Sequence, residues 1–474
     1  MFFKFIVKKS AFLMQSESYF LALSLARSGA TSRAWEAFLS AGLDGAEEVE
    51  ALTLKGRLLK DRAKQAAGAE RAALFAQSGA VYAQAARLRP DSYPLINAAA
   101  MALFGGDGAV AATIARDVLT LIDGDASQGE TPYWREATRA EAFLLLGRAD
   151  DAQASLAAAI TRAPQAWEDH AVTLRQFAAI LAEQGEGASW LDARRPAPSL
   201  HFSGILGIDS DDAAAAKAIQ SAIAEIAPGF GYGALAAGAD IIAAEALLAG
   251  GAELHVVLPS SSAEFCRTSV APFGRDWTER FDALCDAAHS LTLCNNGAET
   301  SRAGIALAEY HAMGMAVLKA SRLESRALAL RIEPEDRPAI GGPWLSAGRP
   351  IVHVAVTESR PPVAAAELNE GTLLFYLALG DDAGVADPMG FATLQQAIAA
   401  IPDRTVQAAI DCNITGQRDT VRALLQNTPT GSVFASGNAA LALLAEGRCG
   451  RIEPMGEMET TEGAVEVYAI WPSG

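Results

Sequence analysis

The sequence predicts a multidomain protein of mixed α and α/β class: helical repeats, then an α/β domain, then a small α/β domain. Three observations carry this. The first 190 residues are dominated by Ala, Leu, Arg and Glu and poor in β-branched residues, a composition of high helix propensity. After the break ARRPAPS at 193–199 the pattern changes to short apolar runs alternating with helical stretches, which indicates a mostly parallel sheet. The chain has 474 residues, which at roughly 150 residues per domain suggests about three domains. The expected boundaries are 1–195, 196–348 and 349–474.

Within the helical part the clearest unit runs from Tyr133 to Pro164. Ala140 and Phe143 lie on its first helix, Gly147 at the turn, and Ala152, Leu156 and Ala159 on the second, before Pro164 closes it. Small residues at the closest approach let two antiparallel helices pack, and the proline marks the exit; these spacings resemble the tetratricopeptide repeat (TPR), which implies TPR-like helical repeats. A poorer unit ends at Pro90, with Tyr82 and Ala85 in the corresponding places, and Asn97 to Thr120 reads as a further helix pair broken by GGDG at 105–108. An irregular helical bundle is the alternative to true repeats.

In the middle part SLHFSGILGI (199–208) reads as a buried strand, followed by the helix DDAAAAKAIQSAIAEI. GADIIAAEALLAGG is a second helix and ELHVVLP (253–259) a strand. WTERFDALCDAA is helical, SLTLCN is a strand, and the helix SRAGIALAEYHAMG precedes the runs MAVLKA and RALALRI (326–332). These strands lack a polar face, as strands covered on both sides do. Beyond 345, PIVHVAV (350–356), GTLLFYLAL (371–379) and GAVEVYAI (463–470) read as strands, TVQAAIDC as a continuation of the sheet, and DTVRALLQN as a helix. GSVFASGNAALALLAEG passes from strand to helix, and PMGEMETTEG reads as an exposed connection.

The charge narrows the function. Acids number 56 against 38 Lys and Arg, a net charge of -18. This argues against broad nucleic-acid or anionic-membrane binding and for solubility. The five cysteines have no CxxC spacing and the six histidines are scattered. Neither a disulfide framework nor a zinc site is expected, and a reducing, cytoplasmic setting is. The start, MFFKFIVKKSAFLM, lacks the order of a signal peptide. No metal, no cofactor and no catalytic residue is expected.

The most informative window is PGFGYGALAAGADIIAAEALLAGGAELHVVLP. Gly229, Gly231, Gly233 and Gly238 precede a helix. Glycine lets a backbone amide approach a phosphate, and a helix start adds unpaired amides and a favourable dipole. Asp240 is placed to cap that helix, and would favour a ribose or base over phosphate there. The spacing is neither a dinucleotide fingerprint nor a P-loop. Tight chain turning against a sheet explains the glycines equally well.

The run from Gly231 to Pro259 resembles the Rossmann-like superfamily of DNA-processing protein A and the LOG nucleotide-processing enzymes, most closely its sensor-like members in bacterial signalling proteins. Ser203 and Gly204 on the first strand, then Gly238, Ala239, Asp240, Glu245 and His255 to Pro259, carry the likeness, with Arg267, Ser269, Trp277 and Arg280 in the segment that follows. The resemblance implies a nucleotide or nucleotide-derived ligand near the C-terminal ends of the strands. The expected ligand-binding residues are Ser203, Gly204, Gly231, Gly233, Gly238, Asp240, Glu245, Pro259, Arg267 and Arg280. The two arginines suit phosphate, with surface ion pairs as the alternative. The LOG motif PGGxGT has only NNGAET (295–300) as its counterpart, which argues against hydrolysis.

The helical front, at 92–103 and in YWREATRAEAFLLLG, resembles the repeat region called a TRAFs-binding domain in similar bacterial proteins. That implies a docked protein partner. The end of the chain resembles a class III nucleotide cyclase at Thr430 to Ser436, Met455 to Glu457 and Val467 to Tyr468. The register puts Leu377 where that family's metal aspartate stands, with Asp381 and Asp382 too late, so a degenerate, noncatalytic domain that pairs in a homodimer is expected. The functional expectation is a signalling or regulatory protein. The alternative is an enzyme splitting an N-glycosidic or phosphoryl bond of a nucleotide, for which Asp240 and Glu245 must converge on an open cleft.

Overall fold

The structure is a computed structural model that describes residues 17–124, 130–295, 299–335, 342–357, 368–381, 384–385, 387–402, 406–461 and 463–472. It divides into two compact units, Met1–Arg195 and Pro196–Gly474.

The first unit is helical throughout its described residues: α1 (Glu17–Ser28), α2 (Thr31–Ser40), α3 (Val49–Ala63), α4 (Gly68–Leu88), α5 (Ser92–Phe104), α6 (Gly108–Asp123), α7 (Pro132–Leu145), α8 (Ala149–Arg162) and α9 (Trp167–Gln184). Successive helices pack in antiparallel pairs, α3 on α4, α5 on α6 and α7 on α8. Asp91, Asp107 and Thr131 cap α5, α6 and α7 by accepting the amides of Tyr93, Val110 and Trp134. Ala140, Ala152, Leu156 and Ala159 are fully buried in the α7–α8 pair, and Gly147 makes its turn at φ +71°. At the α3–α4 crossing a Cβ on Gly56 would lie 2.9 Å from the Tyr82 ring, so the absent side chain sets the spacing of the two helices.

In the second unit the first sheet has β1 (Ser199–Gly204), β2 (Phe230–Gly233), β3 (Glu253–Leu258), β4 (Ser290–Leu293), β5 (Ala327–Glu333) and β6 (Ile351–Ala355). Their order is β4-β3-β2-β1-β5-β6 and every pairing is parallel. Helices α10 (Ala213–Ile226), α11 (Ala239–Ala249), α12 (Ser262–Ser269), α13 (Arg275–Ala287) and α14 (Arg302–Arg322) connect the strands, and the short α15 (Pro343–Ser346) precedes β6. Leu200 and Phe202 join a core with Ile219 of α10, Ile241 of α11 and Phe281 of α13. Side chains alternate along a strand, so Ser203 takes the opposite face, where it meets Arg331 of β5. The β6 strand pairs with β5, so this sheet extends past residue 348. MAVLKA is no strand: it is part of α14, a 21-residue helix that its Ala and Met content sustains.

The second sheet holds β7 (Leu374–Asp381), β8 (Gly384–Val385), β9 (Met389–Phe391), β10 (Ala408–Asn413), β11 (Val433–Ser436), β12 (Cys449–Thr460) and β13 (Gly463–Pro472), with α16 (Leu394–Ala399), α17 (Asp419–Asn427) and α18 (Gly437–Ala445). The order is β12-β13-β11-β10-β7-β8, and β9 also pairs with β7. Only β10 and β11 run parallel among these pairings, joined by α17. PMGEMETTEG does not form a loose connection but most of β12 and the turn of a long hairpin, its Met455 and Met458 packing on the core. Its mixed polar pattern is that of an edge strand with one face in water. Helix α14 serves both sheets: it packs on β1, β2 and β3, and on its other side against α18.

Candidate functional site

All six strands of the first sheet end on the same edge, and Gly204, Gly238 and Asp240 of the sequence-predicted residues meet there. The loop after β1 turns back across the start of α11. Gly204 donates its amide to Asp240 Oδ1 at 3.0 Å, and Ala236 donates to Oδ2 at 3.3 Å. Asp240 therefore staples two loops. It does not cap α11: the cap position is Gly238, at φ +114° and with no side-chain bond. The Asp240 side chain is buried, which pushes its carboxyl up to about 7 against the pull of the two amides; Glu309 adds to the push and Arg331 opposes it. Arg331 in turn donates to Ser203 and pairs with Glu309 at 2.8 Å.

The glycines of this region are spent on packing. A Cβ on Gly231 would sit 2.4 Å from Leu247, one on Gly233 2.6 Å from the Phe202 carbonyl oxygen, and one on Gly204 2.4 Å from the Ala239 side chain. Gly238 bridges to Leu206, and the Ala239 amide is taken by the Ile205 carbonyl oxygen at 3.2 Å. The first amide of α11 thus meets the chain itself. Of the alternatives left open by the sequence, close packing is the one these distances describe for Gly204, Gly231 and Gly233.

Glu245 lies five residues after Asp240 on α11, about 140° around the helix. It forms a two-bond ion pair with Arg280 of α13, at 2.7 and 2.5 Å, and the Arg280 guanidinium stacks 4.2 Å from the Trp277 ring centre. Asp240 and Glu245 do not converge on one cleft. The absent convergence follows from helical geometry, which the spacing of five already contains.

Open space lies two strands over, at the ends of β3 and β4. A cleft of about 490 Å³ is lined by Glu264, Arg267, Thr268, Glu299, Thr300, Leu368 and Asn369. Pro259 follows β3, and Ser261 caps α12 by accepting the Glu264 amide, so the capping-box spacing Ser261–Glu264 puts that acid at the cleft. Arg267 and Thr268 follow one turn later on the same helix face. The Arg267 guanidinium grips Glu264 with Nε and Nη2, at 2.8 and 2.7 Å, and holds its carboxyl below the usual range. Thr300 is almost fully buried and its hydroxyl shares a 2.7 Å bond with that of Ser260. Of the ten residues singled out in the sequence, Arg267 alone lines this cleft. Glu299 and Thr300 belong to NNGAET, and Glu264 and Thr268 to the segment after β3, but beyond the Ser261–Glu264 cap none carries a signature. Leu368 and Asn369 reach the cleft from a segment far along the chain, which no local pattern announces.

At the neighbouring start of α14, Ser301 caps by accepting the Gly304 amide at 3.0 Å. The amides of Arg302 and Ala303 donate to the main-chain oxygens of Asn369 and Glu370, at 2.9 and 3.0 Å. Among the described residues no group of three or more His, Cys, Asp or Glu could hold a metal ion. No described helix is long and apolar enough to cross a membrane.

In the first unit, α5, α7 and α9 pack on one another. Lys60 of α3 donates to Asn97 of α5 at 3.0 Å, and Gln176 of α9 to Glu141 of α7 at 2.9 Å. Burial pushes the Glu141 carboxyl up to about 7 and lowers Lys60. Alternate helices thus carry a polar ladder. A separate dent of about 250 Å³ lies among Ala86, Pro90, Asp91, Leu95, Asp117, Thr120 and Leu121.

A family model described as Tetratricopeptide Repeats-Sensor (TPR-S) matches residues 12–102. With the helix pairs above, it identifies the first unit as TPR-like helical repeats, a kind of array that docks other proteins. Among solved structures, a thermophilic TPR protein from Thermus thermophilus is 20% identical, covering 35% of this chain and 80% of that one at a TM-score of 0.27. A mutant O-GlcNAc transferase from Thermobaculum terrenum is 12% identical, covering 66% and 60% at a TM-score of 0.20. Scores this low carry no argument about fold or function. No curated protein matches the chain.

Proposed function

We propose that this chain is a noncatalytic signalling or regulatory protein whose Rossmann-like domain binds a nucleotide or nucleotide-derived molecule while its TPR-like repeats hold a protein partner. The observation that carries the reading is the open, polar cleft at the carboxyl edge of an all-parallel sheet, the usual place for a ligand in such folds. The ligand is read, not converted: Asp240 is enclosed by amides of its own loops and Glu245 is neutralised by Arg280, so neither is offered to a scissile bond.

The final segment completes the reading as a degenerate cyclase-like domain that transmits or pairs, in a cytoplasmic homodimer. Its motif residues fall on β11 entering α18, on β12 and on β13. Leu377, in the position of the family's metal aspartate, is fully buried on β7 and has no atom to give a divalent ion. Asp382 and the Asp381 side chain lie outside the described residues.

Mass spectrometry of small molecules released from freshly purified protein, followed by calorimetry against a purine nucleotide panel, tests the proposal. A co-purifying nucleoside derivative that rebinds at micromolar concentration supports it. Failure of every nucleoside and nucleotide to bind more tightly than millimolar ends it.

A further inference from the structure

We propose that the cleft at the ends of β3 and β4 recognises the vicinal hydroxyls of a ribose, and that it prefers nucleosides and monophosphates to polyphosphates. This rests on the nucleotide-ligand reading above and sharpens it. The ordinary phosphate-binding crevice of an α/β sheet offers unpaired helix amides and free cationic groups. At the head of α14 and at Arg267 these groups are largely committed. The Arg302 and Ala303 amides at the head of α14 are occupied by the oxygens of Asn369 and Glu370. Arg267, the cleft's one cation among its described lining residues, has its Nε and one Nη on Glu264.

What remains suits donors. Two carboxylates, Glu264 and Glu299, face one guanidinium, so the described lining residues carry an excess of one negative charge, within a chain of net charge -18. Each further phosphate is repelled by that excess. Adjacent hydroxyls instead present two O–H donors to the paired oxygens of a carboxylate, which accepts only. The floor is prearranged for an acceptor as well. Ser260 and Thr300 bring two hydroxyl hydrogens and use one in the bond between them; with Ser260 as donor, the hydrogen of Thr300, which lines the cleft, is left for an oxygen there. Glu299 is exposed and lines the cleft together with the α12 residues, placing it to receive the diol. Among the described lining residues Leu368 supplies the only apolar side chain and none is aromatic, so recognition centres on the sugar more than on the base.

Calorimetry of the full chain at physiological salt with adenosine, AMP, ADP, ATP and 2′-deoxyadenosine provides the test. Adenosine and AMP are expected to bind within about threefold of each other, and ATP at least tenfold more weakly. Loss of one hydroxyl in 2′-deoxyadenosine should cost about tenfold. Glu299→Gln should weaken adenosine about fivefold or more while narrowing its advantage over ATP; Glu264→Gln, which also frees Arg267, should shift preference toward ATP further still. Affinity that rises with phosphate number, or equal binding of the deoxy and ribo forms, overturns this proposal and leaves the nucleotide-sensing reading standing. If none of the five binds, this proposal falls, and the nucleotide reading falls with it when the remaining purine panel fails as well.

Discussion

Gly314 of α14 presses on the Leu441 carbonyl oxygen of α18: a Cβ built on the glycine would stand 2.4 Å from it. That approach brings the helix covering the parallel sheet against the helix covering the second sheet. Tyr310, a turn earlier, donates to Glu446 at 2.8 Å and sets its ring edge-on to Phe375 of β7. The same helix carries Leu307 into the core of the second sheet.

Gly314→Ala should therefore destabilise the second unit by about 1–3 kcal/mol, since the obstacle is main chain and cannot rotate away. Urea unfolding followed by fluorescence measures this. A change under 0.5 kcal/mol would mean that the helices slide apart freely.

Asp240 gives a pH signature. Its folded-state carboxyl titrates near 7, above the ordinary 3.8, so the folded protein keeps a proton that the unfolded chain has released. Stability from this group is intact below pH 4 and falls as pH rises toward 7, by about 2–4 kcal/mol over the window. Asp240→Asn should remove that slope, seen as the difference between the two proteins' urea midpoints from pH 4 to 8. Because one amide of Gly204 or Ala236 then faces an NH₂ group, the variant should also be less stable below pH 4. Parallel curves for the two proteins would refute the assignment.

The Glu245–Arg280 pair predicts a structural and modest coupling. Both side chains retain solvent access, at 39% and 25% exposure, so a double-mutant cycle with Glu245→Ala and Arg280→Ala should return about 0.5–1 kcal/mol. Adenosine binding should change by less than threefold in either variant. A loss of more than tenfold from Glu245→Ala alone would move the site to α11.

Incubation of the full chain with ATP or GTP and manganese should yield no cyclic nucleotide, as measured by mass spectrometry. Product that disappears on replacing Asp381 and Asp382 would restore the cyclase reading of the final domain and displace the argument from Leu377.

The sequence announced those parts of the fold that local chemistry dictates. The Tyr133–Pro164 pair, with its buried alanines and Gly147 turn, was legible because close helix packing leaves a spacing of small residues. The strands β1, β3 and β5 were legible from their unbroken apolar runs. MAVLKA misled because a short apolar run reads alike in a helix and a strand, and only the continuous 21-residue helix decides it. Asp240 sat where a cap is expected, yet Gly204 from 36 residues away claimed it first. The cleft was the least legible feature, because Glu264, Thr300 and Asn369 are brought together by tertiary structure.

The segment that walls the cleft also has almost no slack. Glu370, bound through its main-chain oxygen to the head of α14, stands four positions before Leu374, the first residue of β7. Four residues span at most about 14 Å even when fully extended. A guest that levers Asn369 aside must therefore unfasten it from α14 or tug directly on the second sheet, which makes this short tether a mechanical line from an occupied cleft to the far end of the chain.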